Sequence, residues 1–287
     1  MTVELAVAPR GPYSLALSAR LAGDATRRFR DGVVTALLDA GTGPELVRAG
    51  QSPDGTVTIR AATAAGAERL RWMLALDDDH SPFLDRIRDD ALLGPASRTL
   101  RGLRQVRTAT VAQSLLRAVA GQLIDWRSAR TIERRVVRAL SPPPGPEGLS
   151  LAPTTAALAA LAPSQLRQLG LHERRAAALV RVCRSLDLER LHDQPTGVVV
   201  RRLERERGLG PWSAGVVCLE GLGRVEHGLV GDLGLITLLR TLRGRPVEGA
   251  ETAELLEPYG EWAGLASVYL LAAAARGLLP VRATRAA

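Results

Sequence analysis

Two glycine-containing segments in the last third of the chain restrict its fold more than any other feature. The first, residues 208–212, reads Gly-Leu-Gly-Pro-Trp and separates two stretches of helical spacing, 198–207 and 212–222. Glycine permits positive φ and close approach of another backbone, and Pro211 suits the first turn of a helix. We therefore predict a helix-hairpin-helix. The free amides of its second helix would suit a nucleic-acid phosphate, although a plain tight connection between helices has the same pattern.

An acidic residue follows the hairpin at a short interval. Residues 230–235 read Val-Gly-Asp-Leu-Gly-Leu and open an apolar run that continues to Leu239. Asp232 is expected to cap a helix, because its carboxylate can accept hydrogen bonds from the free amides of the first turn. The same carboxylate becomes a candidate catalytic group if folding brings it close to the hairpin. The sequence leaves both roles open.

The pattern of the chain changes near residue 95. Before it, short segments of β-type alternation predict strands, and one amphipathic helix follows them. The predicted strands cover residues 3–7, 14–21, 33–38, 45–49 and 56–61, and the helix covers 64–76. After it, helical periodicity prevails, and the proline-rich segment 142–146 is predicted as a loop. The predicted fold class is α+β, with a small N-terminal antiparallel-sheet domain at 1–95 and a mostly α-helical region at 96–287 that contains the hairpin.

The composition favours a polyanionic partner and disfavours metal or amine chemistry. The 287 residues include 38 basic and 30 acidic side chains, a formal net charge of +8, and such a surplus favours binding to phosphates. All 38 basic residues are Arg, so no side-chain amine can form a Schiff base, and water is the simplest nucleophile at a sugar carbon. Cys183 and Cys218 are too few for a four-thiolate site, and the four His lack ligand spacing. We therefore predict no metal site.

Three segments resemble the helix-hairpin-helix superfamily of DNA glycosylases, particularly its alkylpurine branch, the 3-methyladenine DNA glycosylases of type II. They are SLLRAVAGQL at residues 114–123, GLGPWSAGV at 208–216 and VGDLGL at 230–235. The resemblance covers most of the chain, about residues 1–280. It implies a small N-terminal domain of sheet and helix, followed by two helical subdomains with the active cleft between them.

The resemblance also implies roles for residues of the hairpin and of the following helix. The essential Asp of the superfamily corresponds to Asp232. Trp212 stands where strand-cutting members have Lys, which implies a monofunctional enzyme that uses water. Gly208 and Gly210 correspond to the backbone that holds a DNA phosphate, commonly with a structural monovalent cation in relatives. No other cofactor is expected.

Three further residues are expected beside the cleft. Gln122 corresponds to a pocket or base-stack position, and Leu123 is similar to the apolar wedge that fills the gap left by an extruded nucleotide. Trp126 is close enough in sequence to line the pocket. Each has an alternative that stays open: Gln122 could cap backbone groups, Leu123 could lie in the core, and Trp126 or Trp212 could pack between helices.

The expected substrate is double-stranded DNA that contains damaged bases. A base in a duplex is inaccessible, so the nucleotide has to be extruded before its N-glycosidic bond is hydrolysed. The implied product is an abasic site in an uncut strand, formed by removal of an alkylated purine in base excision repair. The alternatives are a non-catalytic damage-recognition protein and a glycosylase for oxidised or deaminated bases. We expect a monomeric, soluble, cytoplasmic protein that is associated with the nucleoid and binds no membrane.

Overall fold

The computed structural model describes residues 2–141 and 145–280, and its first part is an antiparallel sheet. The strands are β1 (Val3–Val7), β2 (Arg27–Arg30), β3 (Val33–Asp39), β4 (Pro44–Gln51) and β5 (Val57–Ala61), in the order β1-β5-β4-β3-β2. Along β4, Val47 and Ala49 are buried whereas Arg48 between them is exposed. This alternation is expected of a sheet with one covered face.

Helices form most of the remaining chain. The N-terminal ones are α1 (Leu15–Ala19), α2 (Ala64–Met73), α3 (Ser81–Arg86), α4 (Gly94–Ser97), α5 (Val111–Gly121), α6 (Trp126–Leu140) and α7 (Thr155–Ala159). They are followed by α8 (Pro163–Gln168), α9 (Glu173–Ser185), α10 (Thr196–Glu204), α11 (Pro211–Val216), α12 (Leu233–Arg243), α13 (Thr252–Leu256) and α14 (Ala263–Ala275). A π-helical turn, Val217–Gly221, continues α11. The predicted α+β fold class is confirmed. Within the described residues, none of the helices is long and apolar enough to cross a membrane.

Two local predictions in the sheet domain are wrong. The segment 14–21 contains the helix α1 (Leu15–Ala19) and no strand, because the Ser14 side chain accepts a hydrogen bond from the amide of Leu17 and caps a helical turn. Strand β2 was not predicted, because its sequence, RRFR, is mostly charged and lacks the alternation of a strand. Of the predicted proline-rich loop, residues 142–144 lie outside the described residues.

The apolar side chains of residues 2–141 and 145–280 form three cores. The sheet core lies between the strands and α2 and includes Val47, Ile59 and Leu70. The hairpin core lies among α5, α6, α9, α10 and α11 and includes Leu115, Val136, Leu179 and Ala214. The C-terminal core lies among α3, α4, α12 and α14 and includes Phe83, Ala96, Leu235 and Tyr269.

The segment from α3 to Leu103 packs in the C-terminal core, although it directly follows the sheet domain in sequence. The rings of Phe83 and Tyr269 lie 5.0 Å apart between centroids. The hydroxyl of Tyr269 donates to the carbonyls of Leu100 and Leu103. The predicted division at residue 95 falls within this segment and stays a prediction.

A buried network of charged side chains connects the sheet domain to the helices. Its members are Asp24, Arg27, Arg117, Arg130, Glu133 and Glu220. At its centre, Nη2 of Arg117 lies 2.7 Å from a carboxylate oxygen of Asp24 and 2.8 Å from one of Glu133. Burial alone would raise the pKa of Asp24, but Arg27 and Arg117 outweigh it and hold this pKa well below its usual value. Three positive charges offset three negative ones, so the network carries no net charge into the interior.

Candidate active site

The predicted hairpin connects α10 to α11, and its two glycines differ in backbone conformation. Gly208 has a φ of +95°, and a Cβ there would lie 3.2 Å from the Cβ of Ala178. The turn therefore requires glycine at this position. Gly210, by contrast, has a φ of −130°, which suits any residue, so its backbone conformation does not require glycine. No described atom lies within 4 Å of a Cβ built on Gly210, so the fold leaves this side of the hairpin open.

The end of α5 is hydrogen-bonded to the hairpin through Gln122. Its side-chain amide donates to the carbonyl of Gly208 at 2.7 Å and to the hydroxyl of Ser213 at 3.1 Å. The expectation that Gln122 caps backbone groups describes this contact, and the residue also lines the cleft described below. Ser213 is a positioning residue that the sequence analysis missed, since a serine in an apolar helix carries no distinctive signal.

Protein groups already bind the carbonyls of the hairpin. The carbonyl of Glu206 accepts from the amide of Leu209, and that of Arg207 accepts from the guanidinium of Arg181. The carbonyl of Gly208 is bonded to Gln122. A monovalent cation, which the resemblance implies here, would have to share these oxygens through their second lone pairs. Side-chain and backbone donors of the protein thus hold the hairpin carbonyls in place.

The indole of Trp212 connects the hairpin to the predicted acid. Its ring lies against the last turn of α5, where a Cβ on Gly121 would come within 2.7 Å of the indole Cη2. On its other side, Nε1 of the indole donates a hydrogen bond to Oδ2 of Asp232 at 2.9 Å. The structure therefore brings Trp212 and Asp232, which are 20 residues apart in sequence, into direct contact.

Asp232 caps α12, as predicted, while one of its oxygens faces Trp212. Oδ1 accepts hydrogen bonds from the amides of Gly234 at 2.8 Å and Leu235 at 3.3 Å. The preceding residue, Gly231, has a φ of +85°, and its amide donates to the hydroxyl of Thr252 at 2.7 Å. Thr252 is fully buried and fixes the turn that presents the acid. The partial positive charge of a helix N-terminus stabilises a carboxylate at this position.

A cleft of about 1570 Å³ contains this pair. Its walls come from α5 and α6 on one side and from α12 and α14 on the other, with Trp212 and Val216 of α11 between them. The residues predicted for the pocket and for catalysis all line it: Gln122, Trp126, Trp212 and Asp232. Leu123 and Gly210, which were predicted to contact DNA, line it as well. Gly208 lies next to the cleft and is connected to it through Gln122.

Leu123 and Trp126 lie on the surface beside the cleft and are not core residues. Leu123 is 84% exposed and Trp126 is 62% exposed, so the alternatives that place them in the core or between helices do not describe their positions. Leu123 also has a φ of +55°, which is unfavourable for a branched side chain. By contrast, Trp262 packs against Phe83 and His80.

The deep end of the cleft is charged, which the sequence analysis did not predict. Arg117, Glu133 and Glu220 of the buried network line it. Burial raises the pKa of Glu220, but Arg117 and Arg130 outweigh this effect and lower it below its usual value. The sequence does indicate the position of Glu220, because its spacing of four residues from Val216 and eight from Trp212 places all three on one face of a helix. The pairing of Arg117 with Asp24 and Glu220 depends on contacts between distant parts of the chain.

A sheet domain followed by helices around a cleft, with a glycine hairpin beside a helix-capping aspartate, is the arrangement that the resemblance to the helix-hairpin-helix DNA glycosylases implies. The solved structure of the 3-methyladenine DNA-glycosylase from Archaeoglobus fulgidus matches with a TM-score of 0.77 at 19% identity, over 94% of this chain and 97% of that chain. The 8-oxoguanine glycosylase/lyase of Clostridium acetobutylicum, solved with double-stranded DNA, also gives 0.77, at 16% identity, over 96% and 98% of the two chains. These likenesses show the fold.

A relative found by sequence agrees with this class. The DNA-3-methyladenine glycosylase of Bacillus subtilis (strain 168) is 26% identical over 205 residues, which are 68% of this chain and 67% of that protein. No family model matches the chain. The resemblance to the helix-hairpin-helix DNA glycosylase superfamily is thereby confirmed.

Proposed function

We propose that this chain is a monofunctional DNA glycosylase that removes alkylated purines from double-stranded DNA and leaves abasic sites for base excision repair. The observation that carries the proposal is the position of the Asp232 carboxylate. It is partly exposed in the wall of a large cleft, at a helix N-terminus, and it is bonded to the indole beside the hairpin. The proposed substrate is DNA of the nucleoid, on which the chain would act as a monomer.

The chemistry needs a fixed negative group next to the sugar. Cleavage of the N-glycosidic bond builds positive charge on the sugar, and a nearby carboxylate stabilises this charge and orients or deprotonates water. Asp232 is suited to this because the amides of α12 hold one of its oxygens and Trp212 holds the other. An N-alkylated purine is cationic and leaves readily, so no strong general acid is required. The electron-rich face of Trp212 would attract the cationic ring.

The surface around the cleft is suited to an extruded nucleotide. The open side of Gly210 allows a DNA backbone to approach the amides that begin α11. Leu123 projects from the structure beside the cleft, where an apolar side chain can fill the space left in the base stack. Extrusion costs roughly a few kcal/mol and is least costly for a damaged or poorly paired base. The wedge would offset part of that cost.

The proposal that the enzyme does not cut the strand depends on the residue at position 212. Strand cutting through a Schiff base needs an amine nucleophile, and the chain has no Lys. Trp212 stands where the resemblance implies such an amine in strand-cutting members, and its indole nitrogen is bonded to Asp232. Water is therefore the proposed nucleophile, and the product would be an intact strand with an abasic site.

Methylated duplex DNA provides the direct test. The protein is incubated with this DNA, released bases are separated by chromatography, and strand breaks are measured with and without alkali. We expect free alkylated purine, and strand breaks only after alkali. Asp232→Asn should abolish release but retain binding to DNA. The matched control is Asp125→Asn, because Asp125 also caps a helix at the cleft, accepting from the amides of Arg127 and Ser128, and this variant should remain active.

Other outcomes of the same experiment identify the competing functions. Binding to damaged DNA without any base release would favour a non-catalytic damage-recognition protein. Release of 8-oxoguanine in preference to alkylated purines would favour an oxidised-base glycosylase, a reading supported by the equally good fold match to the Clostridium acetobutylicum enzyme. Strand breaks without alkali would contradict the monofunctional mechanism.

A further inference from the structure

The cleft has a polar floor that the proposed chemistry at Asp232 does not use. Trp212, Val216 and Glu220 lie at intervals of four residues along α11 and its π-helical continuation, and all three line the cleft. Eight helical residues rise roughly 12 Å. Glu220 thus lies about two helical turns from Trp212, on the part of the cleft that Arg117 and Glu133 also line, whereas Trp212 is bonded to the acid.

One oxygen of Glu220 is fixed and the other is available to a ligand. Oε2 accepts a hydrogen bond from Nη1 of Arg117. Among the described residues, no hydrogen bond reaches Oε1, and the side chain is 17% exposed. Arg117 is itself held by Asp24 and Glu133. The floor of the cleft therefore presents a carboxylate oxygen whose orientation is set by a buried guanidinium.

We propose that Glu220 is a specificity-determining residue that accepts a hydrogen bond from an amino group of the extruded purine. This inference rests on the proposed function, because it concerns the base held in the same cleft. A carboxylate only accepts hydrogen bonds, so it pairs with the amino groups of adenine and guanine and opposes a carbonyl oxygen at the same position. Its charge also attracts a cationic alkylated ring. The surrounding Trp212 and Val216 contact the ring faces and carry no such discrimination.

The test uses three cationic bases that differ in their amino groups. Duplexes of one sequence carry 7-methyladenine, 7-methylguanine or 7-methylhypoxanthine, and the last of these has no amino group. Single-turnover rates of base release are measured for each. The wild-type protein should release the better of the two amino-bearing bases about tenfold faster than 7-methylhypoxanthine, the effect of one charge-assisted hydrogen bond.

Glu220→Gln gives a result that a purely structural role would not produce. The amide oxygen of Gln would accept from Arg117, so its amino group would face the cleft and replace the acceptor with a donor. The preference should then shift toward 7-methylhypoxanthine, to a ratio near one or inverted. Glu220→Met, which has no acceptor and leaves Arg117 paired with Asp24 and Glu133, should remove the preference without inverting it, and it serves if the Gln variant does not fold.

Asp24→Asn is the matched control, because it removes a charge from the same network at a residue outside the cleft. It should lower the stability of the protein and keep the wild-type preference. An unchanged preference in both Glu220 variants, or an equal change in Asp24→Asn, would overturn the inference while leaving the glycosylase function intact. Absence of base release from every substrate by the wild-type protein would overturn the proposed function, and with it this role of Glu220.

Discussion

The indole N–H of Trp212 donates to Oδ2 of Asp232 at 2.9 Å, and this bond connects the first turn of α11 to the first turn of α12. Because the amides of Gly234 and Leu235 hold Oδ1, both oxygens of the carboxylate have fixed positions. The position of the Asp232 carboxylate is therefore fixed relative to the hairpin. A phosphate held at the hairpin would set the position of its sugar relative to Asp232.

Trp212→Phe tests this connection. The substitution keeps an aromatic ring against Gly121 but removes the donor to Asp232. A hydrogen bond to a charged group contributes about 1.5–3 kcal/mol, so we expect the single-turnover rate of base release to fall roughly 10- to 100-fold. The matched control is Trp262→Phe, at a Trp that packs against Phe83, whose rate should change little. Equal rates in wild type and Trp212→Phe would show that the indole N–H does not position the acid.

The two hairpin glycines should respond differently to alanine. Gly208→Ala forces a side chain into positive φ beside Ala178, so it should destabilise the protein by about 1–2 kcal/mol. Gly210→Ala meets no described atom within 4 Å and has an ordinary φ, so its free energy of unfolding should stay within about 0.5 kcal/mol of wild type. Its affinity for DNA should nevertheless fall, because the methyl group occupies the side open to phosphate. Thermal unfolding and fluorescence anisotropy with a labelled duplex measure the two effects, and unchanged affinity in Gly210→Ala would mean that DNA does not approach there.

Leu123 should show a conflict between stability and activity. Its φ of +55° is unfavourable for leucine, because a side chain with a Cβ raises the free energy of the left-handed conformation by about 1–2 kcal/mol. Leu123→Gly should therefore be at least as stable as wild type, despite the flexibility of glycine in the unfolded chain. Leu123→Ala keeps the unfavourable φ and should gain nothing. Both should slow base release from duplex DNA more than from single-stranded DNA, and equal slowing of the two substrates would argue against a wedge.

Features encoded by neighbouring residues were predictable from the sequence. The cap on α12 follows from an Asp before an apolar run, and the hairpin follows from glycines between two helical stretches. Gly210 shows the limit of this reasoning, because a glycine in a turn permits positive φ, whereas the φ of Gly210 is −130°. The helix at Leu15–Ala19 was missed because alternation and helical spacing coincide over so short a segment.

Features that join distant parts of the chain were not predictable. Arg117 pairs with Asp24, 93 residues before it, and with Glu220, 103 residues after it. Gln122 reaches Ser213 across 91 residues. The sequence around each of these polar side chains does not indicate a partner, because the partner is determined by how the helices pack. The polar floor of the cleft therefore became visible only in the structure.

The buried charged network should make the thermal stability of the protein depend on pH under acidic conditions. The pKa of Asp24 is lowered in the folded protein, since Arg27 and Arg117 outweigh the effect of burial. A carboxyl whose folded pKa lies below its ordinary value of about 4 contributes stability above that pH, and the contribution is lost as the pH falls further. The wild-type Tm should therefore drop below about pH 4.

The variant Asp24→Asn tests this assignment. Its free energy of unfolding at pH 7 should be about 3 kcal/mol lower than that of wild type, as when a buried ion pair is broken, and its Tm should fall less steeply in acid. Glu4→Gln, which removes an exposed partner of Arg60, is the control and should keep the wild-type profile, whereas a profile for Asp24→Asn that runs parallel to wild type would assign the acid sensitivity to other carboxylates.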